Sequence, residues 1–145
     1  MNEEEYLKNR VDDQVDWYDK KSATNKNLHN RFQVSEIGFS LLIPLFAGFN
    51  TPESYYFNYI IALLGFLVAG IAGIMNHFKF KDKWTDYRTF AESIKQEKYL
   101  FITKTGKYNS DISFEIFVEN IENLISKENT NWVQHINNYK KEKNG

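Results

Sequence analysis

The densest group of chemically capable side chains lies near the start of the chain. In "VDDQVDWYDKK", Asp12, Asp13, Asp16 and Asp19 fall within eight residues. On a helix, Asp12, Asp16 and Asp19 share a face at i, i+4 and i+7, as carboxylates that hold a divalent metal can. Bundle metal sites recruit a Glu-x-x-His pair from facing helices, and no such spacing occurs here. The carboxylates are therefore expected to pair with Lys20, Lys21 and the basic residues that follow the second apolar stretch.

The other candidates for catalysis are thinner. His29, His77 and His135 stand alone, with no i, i+4 partner. "TKTGKY" lacks both the spacing of a phosphate loop and a preceding strand. There is no cysteine, which removes disulfides, thiolate zinc sites and a cysteine nucleophile together. The expectation is a protein that is not an enzyme and uses no metal or cofactor. A net charge of -1 supplies no basic field for nucleic acid.

Glu36 differs because it stands one turn inside an apolar run, after Ser35 and before Gly38. A carboxylate inside a membrane is costly and faces a polar cavity or a partner. Two uses are open: a ring of Glu36 around an oligomer axis, attracting cations, or an interfacial carboxylate paired with Arg31 or Lys79. With Ser40, Asn58 and Asn76, Glu36 makes up the candidate pore or selectivity residues.

The elements that must position these residues follow from charge. Residues 1–33 carry six basic and seven acidic side chains, residues 79–145 twelve and ten, and the stretch between only Glu36 and Glu53. Mean hydropathy is -0.55, so the charge-free middle is a local property of a polar chain. "SYYFNYIIALLGFLVAGIAGIMNHF", Ser54 to Phe78, would rise about 37 Å as a helix, enough to cross a ~30 Å hydrocarbon core. "VSEIGFSLLIPLFAGF", Val34 to Phe49, is a shorter candidate that spans only with Val34 to Glu36 at the interface or with neighbouring helices around it. "NTPES" between them is a turn broken by Pro52.

This reads as a transmembrane helical hairpin. Lys26 and Arg31 before it and Lys79, Lys81, Lys83 and Arg88 after it place both termini in the cytoplasm by the positive-inside rule. Tyr55, Tyr56, Phe57 and Tyr59 form an aromatic belt at the outer interface. The acidic start, "MNEEEYLKNR", has no apolar stretch, so no cleavable signal peptide is expected. Gly65, Ala69 and Gly73 form a small-residue stripe that permits close helix approach in lipid. The stripe serves either packing on the first span or a subunit contact. Gly70 lies off it, which puts small residues on more than one face. Pro44 is a possible kink.

Two polar segments flank the hairpin, and neither contains Gly or Pro, so each is expected to continue its transmembrane helix unbroken. Before it, Leu7, Val11, Gln14, Tyr18, Leu28 and Phe32 make a coiled-coil-like seam interrupted by Lys21 and Asn25. After it, Phe80, Trp84, Tyr87, Ala91 and Ile94 form a stripe, with Phe90 and Phe101 beside it. "TKTGKYNSD" is a turn with Gly106 as a left-handed helix terminator. A third helix follows, with Phe114, Phe117, Ile121, Leu124, Ile125, Glu128 and Trp132 inward.

The motifs "YLKNRVDDQVDWYDKKSATNK", "LLIPLF", "KWTDYRTFAESIKQEKYLFITKTGKY" and "FVENIENLISKENTNW", in that order, resemble the SLATT family of bacterial two-transmembrane proteins (SMODS- and SLOG-associating two-TM effectors). The resemblance runs from about Tyr6 to Trp132 and is closest to a short bacterial branch described only as a domain of unknown function. It implies a two-span membrane effector in a nucleotide-signalled defence system, acting through pores. Trp17, Tyr18, Lys21, Trp84, Tyr87, Arg88, Glu92, Lys95, Glu97, Glu128 and Trp132 match the family pattern and suit a cytoplasmic polar network between helices. No nucleotide-binding or nucleotide-making domain is recognisable in the chain, so any sensor would be another protein or an unrecognised site in the bundle.

The expected fold is an all-α membrane protein of one SLATT-like domain over residues 1–145. It comprises a cytoplasmic helix (1–33), first span (34–50), outer turn (51–54), second span (55–78), cytoplasmic helix (79–102) and C-terminal cytoplasmic helix (112–140). The expected function is a homo-oligomeric, pore-forming or ion-channel-like effector in the inner (plasma) membrane. The alternative is a non-conducting membrane adaptor whose bundle docks a partner. Expected partners are the lipid bilayer, further copies of the chain, and a cytoplasmic sensor protein or nucleotide signal.

Overall fold

The computed structural model describes residues 2–49, 51 and 54–127, and among these the chain is helical almost throughout and has no strand. Helix α1 (Glu3–Tyr6) starts at Asn2, whose Oδ1 accepts the Glu5 amide at 2.8 Å. Glu3, Glu4 and Glu5 suit the positive end of that helix. A π-helical segment, Leu7–Asp12, leads into α2 (Asp13–Gly48), then α3 (Tyr56–Phe78), α4 (Phe80–Ile102), a 3-10 turn (Gly106–Tyr108) and α5 (113–127). The helical part of the expected 112–140 segment that lies beyond 127, with Glu128 and Trp132, is outside the described residues.

The chain divides into two compact units. The first combines residues up to Lys20 with those from Asp86 onward. Its core is Val11, Val15 and Tyr18, Ala91, Ile94 and Phe101 of α4, Tyr108, and Phe117, Ile121 and Ile125 of α5. Phe117 stacks on Phe101 with ring centroids 4.3 Å apart, and Tyr6 meets Phe114 edge-on at 5.9 Å. Burial of each large apolar side chain in such a core stabilises by roughly 1.5–3 kcal/mol. The α5 stripe predicted from Phe114 to Ile125 is the one that packs.

The N-terminal seam differs in register from the sequence expectation. Val15 is buried instead of Gln14, and Ser22 is buried where Lys21, which is exposed, was expected. A strict four-three count from Leu7 passes over Val15. The π-helical turn at Leu7–Asp12 takes up the five-residue step between buried Tyr6 and Val11, and from Val11 the steps run four then three, to Val15 and Tyr18. From there the half-buried or buried positions on α2, Asp19 apart, run Tyr18, Ser22, Asn25, His29, Phe32, Glu36, Phe39, Ile43 and Phe46, an alternation of three and four.

The second unit, Lys21–Thr85, pairs this seam with α3 and the start of α4. Phe46 lies 5.8 Å from Phe57, Phe32 stacks on Phe80 at 5.8 Å, and Phe80 stacks on Phe78 at 5.5 Å. Phe57 thus leaves the expected aromatic belt and turns inward, while Tyr55, Tyr56 and Tyr59 are exposed. Pro44 lies within α2 without ending it. Thr51 and Ser54 tie the turn, with Ser54 N donating to Thr51 O at 2.9 Å.

Two boundaries correct the sequence reading. The second apolar helix does not run on unbroken: Lys79 is left-handed, φ 48 and ψ 46, and closes α3 with its amide on Met75 O at 3.0 Å. The break falls where the charge-free run meets the first lysine. At the other end of α4 the left-handed closing residue is Lys104, φ 52, with Thr105 N donating back to Leu100 O at 3.0 Å. Gly106, φ 63, opens the following 3-10 turn instead.

Candidate functional site

The first unit is laced by charge pairs whose geometry is set by its helices. Arg10 grips Glu122 of α5 with both prongs, Nε to Oε1 at 2.9 Å and NH2 to Oε2 at 2.7 Å, and the Tyr6 hydroxyl donates to the same carboxylate at 3.0 Å. The Arg10 hydrogen bond holds Glu122 below its ordinary carboxyl value and raises Arg10 in turn. Burial, then the Glu122 hydrogen bond, pushes the Tyr6 hydroxyl up. Arg10 follows Tyr6 by four residues, a same-face spacing legible in the sequence. That Glu122 meets them depends on the α5 register.

Two members of the acidic cluster, Asp12 and Asp19, form ion pairs with basic residues after the second apolar stretch. Lys98 donates to Asp12, and Lys95 Nζ reaches Asp19 Oδ2 at 2.8 Å and Glu92 Oε1 at 3.3 Å. Arg88 pairs with Glu92 at 2.9 Å and approaches Asp19 Oδ1 at 3.6 Å. The Asp19 hydrogen bond keeps Lys95 above its ordinary value. Among the described residues no group of three or more His, Asp or Glu side chains could hold a metal. Glu97 accepts from both the Tyr108 hydroxyl and Lys107, and Asn120 donates to Tyr108 at 3.0 Å.

Of the residues matched to the polar-network pattern, Trp17, Tyr18, Tyr87, Arg88 and Glu92 come together in this unit. Trp17 meets Tyr87 edge-on at 5.8 Å, and Tyr18 stacks on Phe90 at 6.0 Å. A shallow groove of about 620 Å³ runs along α4 past Arg88, Thr89, Glu92, Ser93, Lys95, Gln96, Tyr99, Leu100 and Thr103. Its two cations are committed to Asp19 and Glu92, so it offers no net positive charge to an anion.

The second unit holds the remaining candidates. Ser22 donates to Trp84 O at 2.9 Å, and Lys26 Nζ stands 5.7 Å from the Trp84 ring. The Trp84 indole N–H is buried with no acceptor among the described residues. Glu36 is half-buried on the inner seam and forms no ion pair with Arg31, Lys79 or any other described residue. The Ser40 hydroxyl is taken by Glu36 O at 2.7 Å. Asn58 and Asn76 are exposed on α3, about 27 Å apart along the helix at 1.5 Å per residue. The four pore candidates are thus not gathered on one surface.

Gly65, Gly70 and Gly73 face open space, with nothing within 4 Å of where a Cβ would stand. Packing of the Gly65–Ala69–Gly73 stripe on the first apolar helix is therefore not its use within the chain. The segment through α3, counted as Tyr56–Ile102, is long and apolar enough to cross a membrane, and only 6% of its most apolar window is buried. No such window occurs in α2, whose charge-free end is short. A core helix of a water-soluble bundle would be mostly buried.

The fold and these two regions define an all-helical protein with a charge-paired helical bundle and a charge-poor hairpin. Residues 13–113 match the family model "Protein of unknown function (DUF4231)", and the chain belongs to that family. No curated protein and no solved structure matches the chain.

Proposed function

We propose that this chain is a two-span membrane protein that assembles with copies of itself in a bacterial plasma membrane, both termini cytoplasmic, and that the assembly forms or gates a narrow ion path. The observation that carries the reading is the uncovered face of α3, where Gly65, Gly70 and Gly73 meet nothing and Phe66 and Tyr59 are 74% and 72% exposed. Lipid and a neighbouring copy are the surroundings that such a face tolerates. On α2, Val34, Ile37, Leu41 and Leu45 are exposed in the same way, which supports a second span alongside α3.

The resemblance to SLATT effectors supports a role in nucleotide-signalled defence, with the signal arriving through a separate sensor protein that acts on the helical bundle. No enzymatic step belongs to this reading. A non-conducting adaptor is the second reading, favoured by the placement of Glu36 on the inner seam, away from Asn58 and Asn76, which are exposed on α3 and about five turns apart.

The test uses the absence of cysteine. Ala69→Cys and Gly73→Cys variants should cross-link between chains in native membranes, whereas Ile71→Cys, on the half-buried side, should not. Voltage-dependent ion flux through liposomes containing the wild-type protein then separates the readings. Cross-linking without flux under any voltage favours the adaptor, and absence of both removes the self-associating effector.

A further inference from the structure

We infer that the base of the hairpin unit is a binding surface for anionic phospholipid headgroups, an inference that rests on the membrane reading above. Its cations are Lys21, Lys26 and Arg31 on α2 and Lys79, Lys81 and Lys83 at the α3–α4 break, against a single carboxylate, Asp82, in residues 21–33 and 79–85. The Ser22–Trp84 hydrogen bond and the Phe32–Phe80 stack fix the register that brings the two sets to one level. Lys26, Arg31, Lys81 and Lys83 have no ion-pair partner among the described residues. In the other unit, by contrast, Arg10, Arg88, Lys95, Lys98 and Lys107 are paired with carboxylates, while Lys8, Lys104 and Lys127, outside those pairs, are dispersed along the sequence.

The occupant follows from what adjoins these cations. Directly beyond them lies the charge-free length of α3, and between the two sits the stacked aromatic layer of Phe32, Phe78 and Phe80. The three phenylalanine rings carry no polar atom and extend the apolar surface up to the lysines, whose stems lie along such surface while their ammonium groups reach water. At that depth the available anion is a lipid phosphate. The left-handed Lys79 marks the same level, with the chain turning as it leaves the apolar run.

Purified full-length protein is reconstituted in vesicles of equimolar phosphatidylcholine and phosphatidylglycerol carrying a trace of either lipid in spin-labelled form. The motionally restricted fraction reports the lipid at the protein surface. Phosphatidylglycerol should be preferred by at least about fivefold, the effect of one lysine near an anionic surface, and raising salt to about 1 M should erase the preference. The triple variant Lys79→Gln, Lys81→Gln, Lys83→Gln should weaken it several-fold, and the matching Lys→Arg variant should keep it, which separates charge from folding.

Equal affinity for both lipids, with the protein resistant to carbonate extraction, overturns the headgroup site and leaves the membrane reading standing. That result would assign the basic surface to an acidic protein partner. Release of the protein by carbonate overturns both. Competition by inorganic phosphate as effective as by lipid would make the site one for a soluble anion and likewise overturn the inference.

Discussion

The two units solve the problem of a polar chain in opposite ways. In the first, aromatic and branched side chains from three separated segments converge on Phe101 and Phe117, and charged residues close over that core in pairs. In the second, Leu64 and Ser22 are the buried residues among those described, and most of the large exposed apolar side chains of the chain are found there. The first unit covers its apolar core with its own residues. The other presents outward what the first hides, and its Lys26, Arg31, Lys81 and Lys83 form no ion pair with a described residue. The difference teaches that composition averaged over the chain describes neither part.

The largest expected effect tests whether the cores really differ. Phe117→Ala should cost about 3–5 kcal/mol, as a fully buried aromatic does, measured by chemical denaturation of the detergent-solubilised protein with the near-ultraviolet signal as probe. Phe66→Ala, on the exposed face of α3, should change the same midpoint by less than about 0.5 kcal/mol, as surface substitutions do. Equal costs would mean that α3 is packed within the chain, and the contrast would fail.

A smaller effect belongs to the charge pairs. Glu122→Gln should cost about 1 kcal/mol, the upper range for pairs this exposed. The carboxyl value is depressed in the fold, so its contribution is complete above the unfolded value near 4.5 and is lost as pH falls below it. The wild type should therefore lose stability on acidification in that window, and Glu122→Gln should show a shallower loss. Lys95, raised by Asp19, has the opposite sign. Its contribution is present below pH 10.5 and fades as pH rises past that value.

The subtlest change concerns the break between α3 and α4 inside the second unit. Lys79 holds a left-handed conformation that disfavours side chains by about 1 kcal/mol. Lys79→Gly should therefore raise stability by up to that amount, read from the thermal midpoint, while removing one cation from the hairpin base. A gain in stability accompanied by a weaker preference for phosphatidylglycerol would show strain and lipid recognition residing in one residue.

How much of this was legible beforehand varies by element. The amphipathic stripes after the hairpin, Phe80 to Ile94 and Phe114 to Ile125, were read correctly because periodicity alone determines which face of a helix is apolar. The N-terminal register differs because a count from Leu7 takes three residues after Val11 where the helix takes four, to Val15, and both steps are compatible with α-helical winding. The π-helical turn that brings Tyr6 inward has no one-residue signature. Ser22, Asn25 and His29 sit on the seam at regular spacing, yet hydrophobic pattern-reading passes over polar residues. The candidate pore residues were grouped by polarity, and polarity carries no information about which of them face each other.

By itself the sequence determined that the chain is helical, that charge is excluded from Ser54 to Phe78, and that acids are gathered from Asp12 to Asp19. These are consequences of residue type and spacing along one helix, which are local. Only the tertiary structure decided that Arg10 and Tyr6 share Glu122, that Asp19 takes Lys95 and Arg88, and that Glu36 turns to the inner seam while the glycines of α3 turn away from it. Those outcomes depend on the rotation and offset of one helix against another. Helix-on-helix register is set by the sum of all the packed side chains, so no short stretch of sequence encodes it.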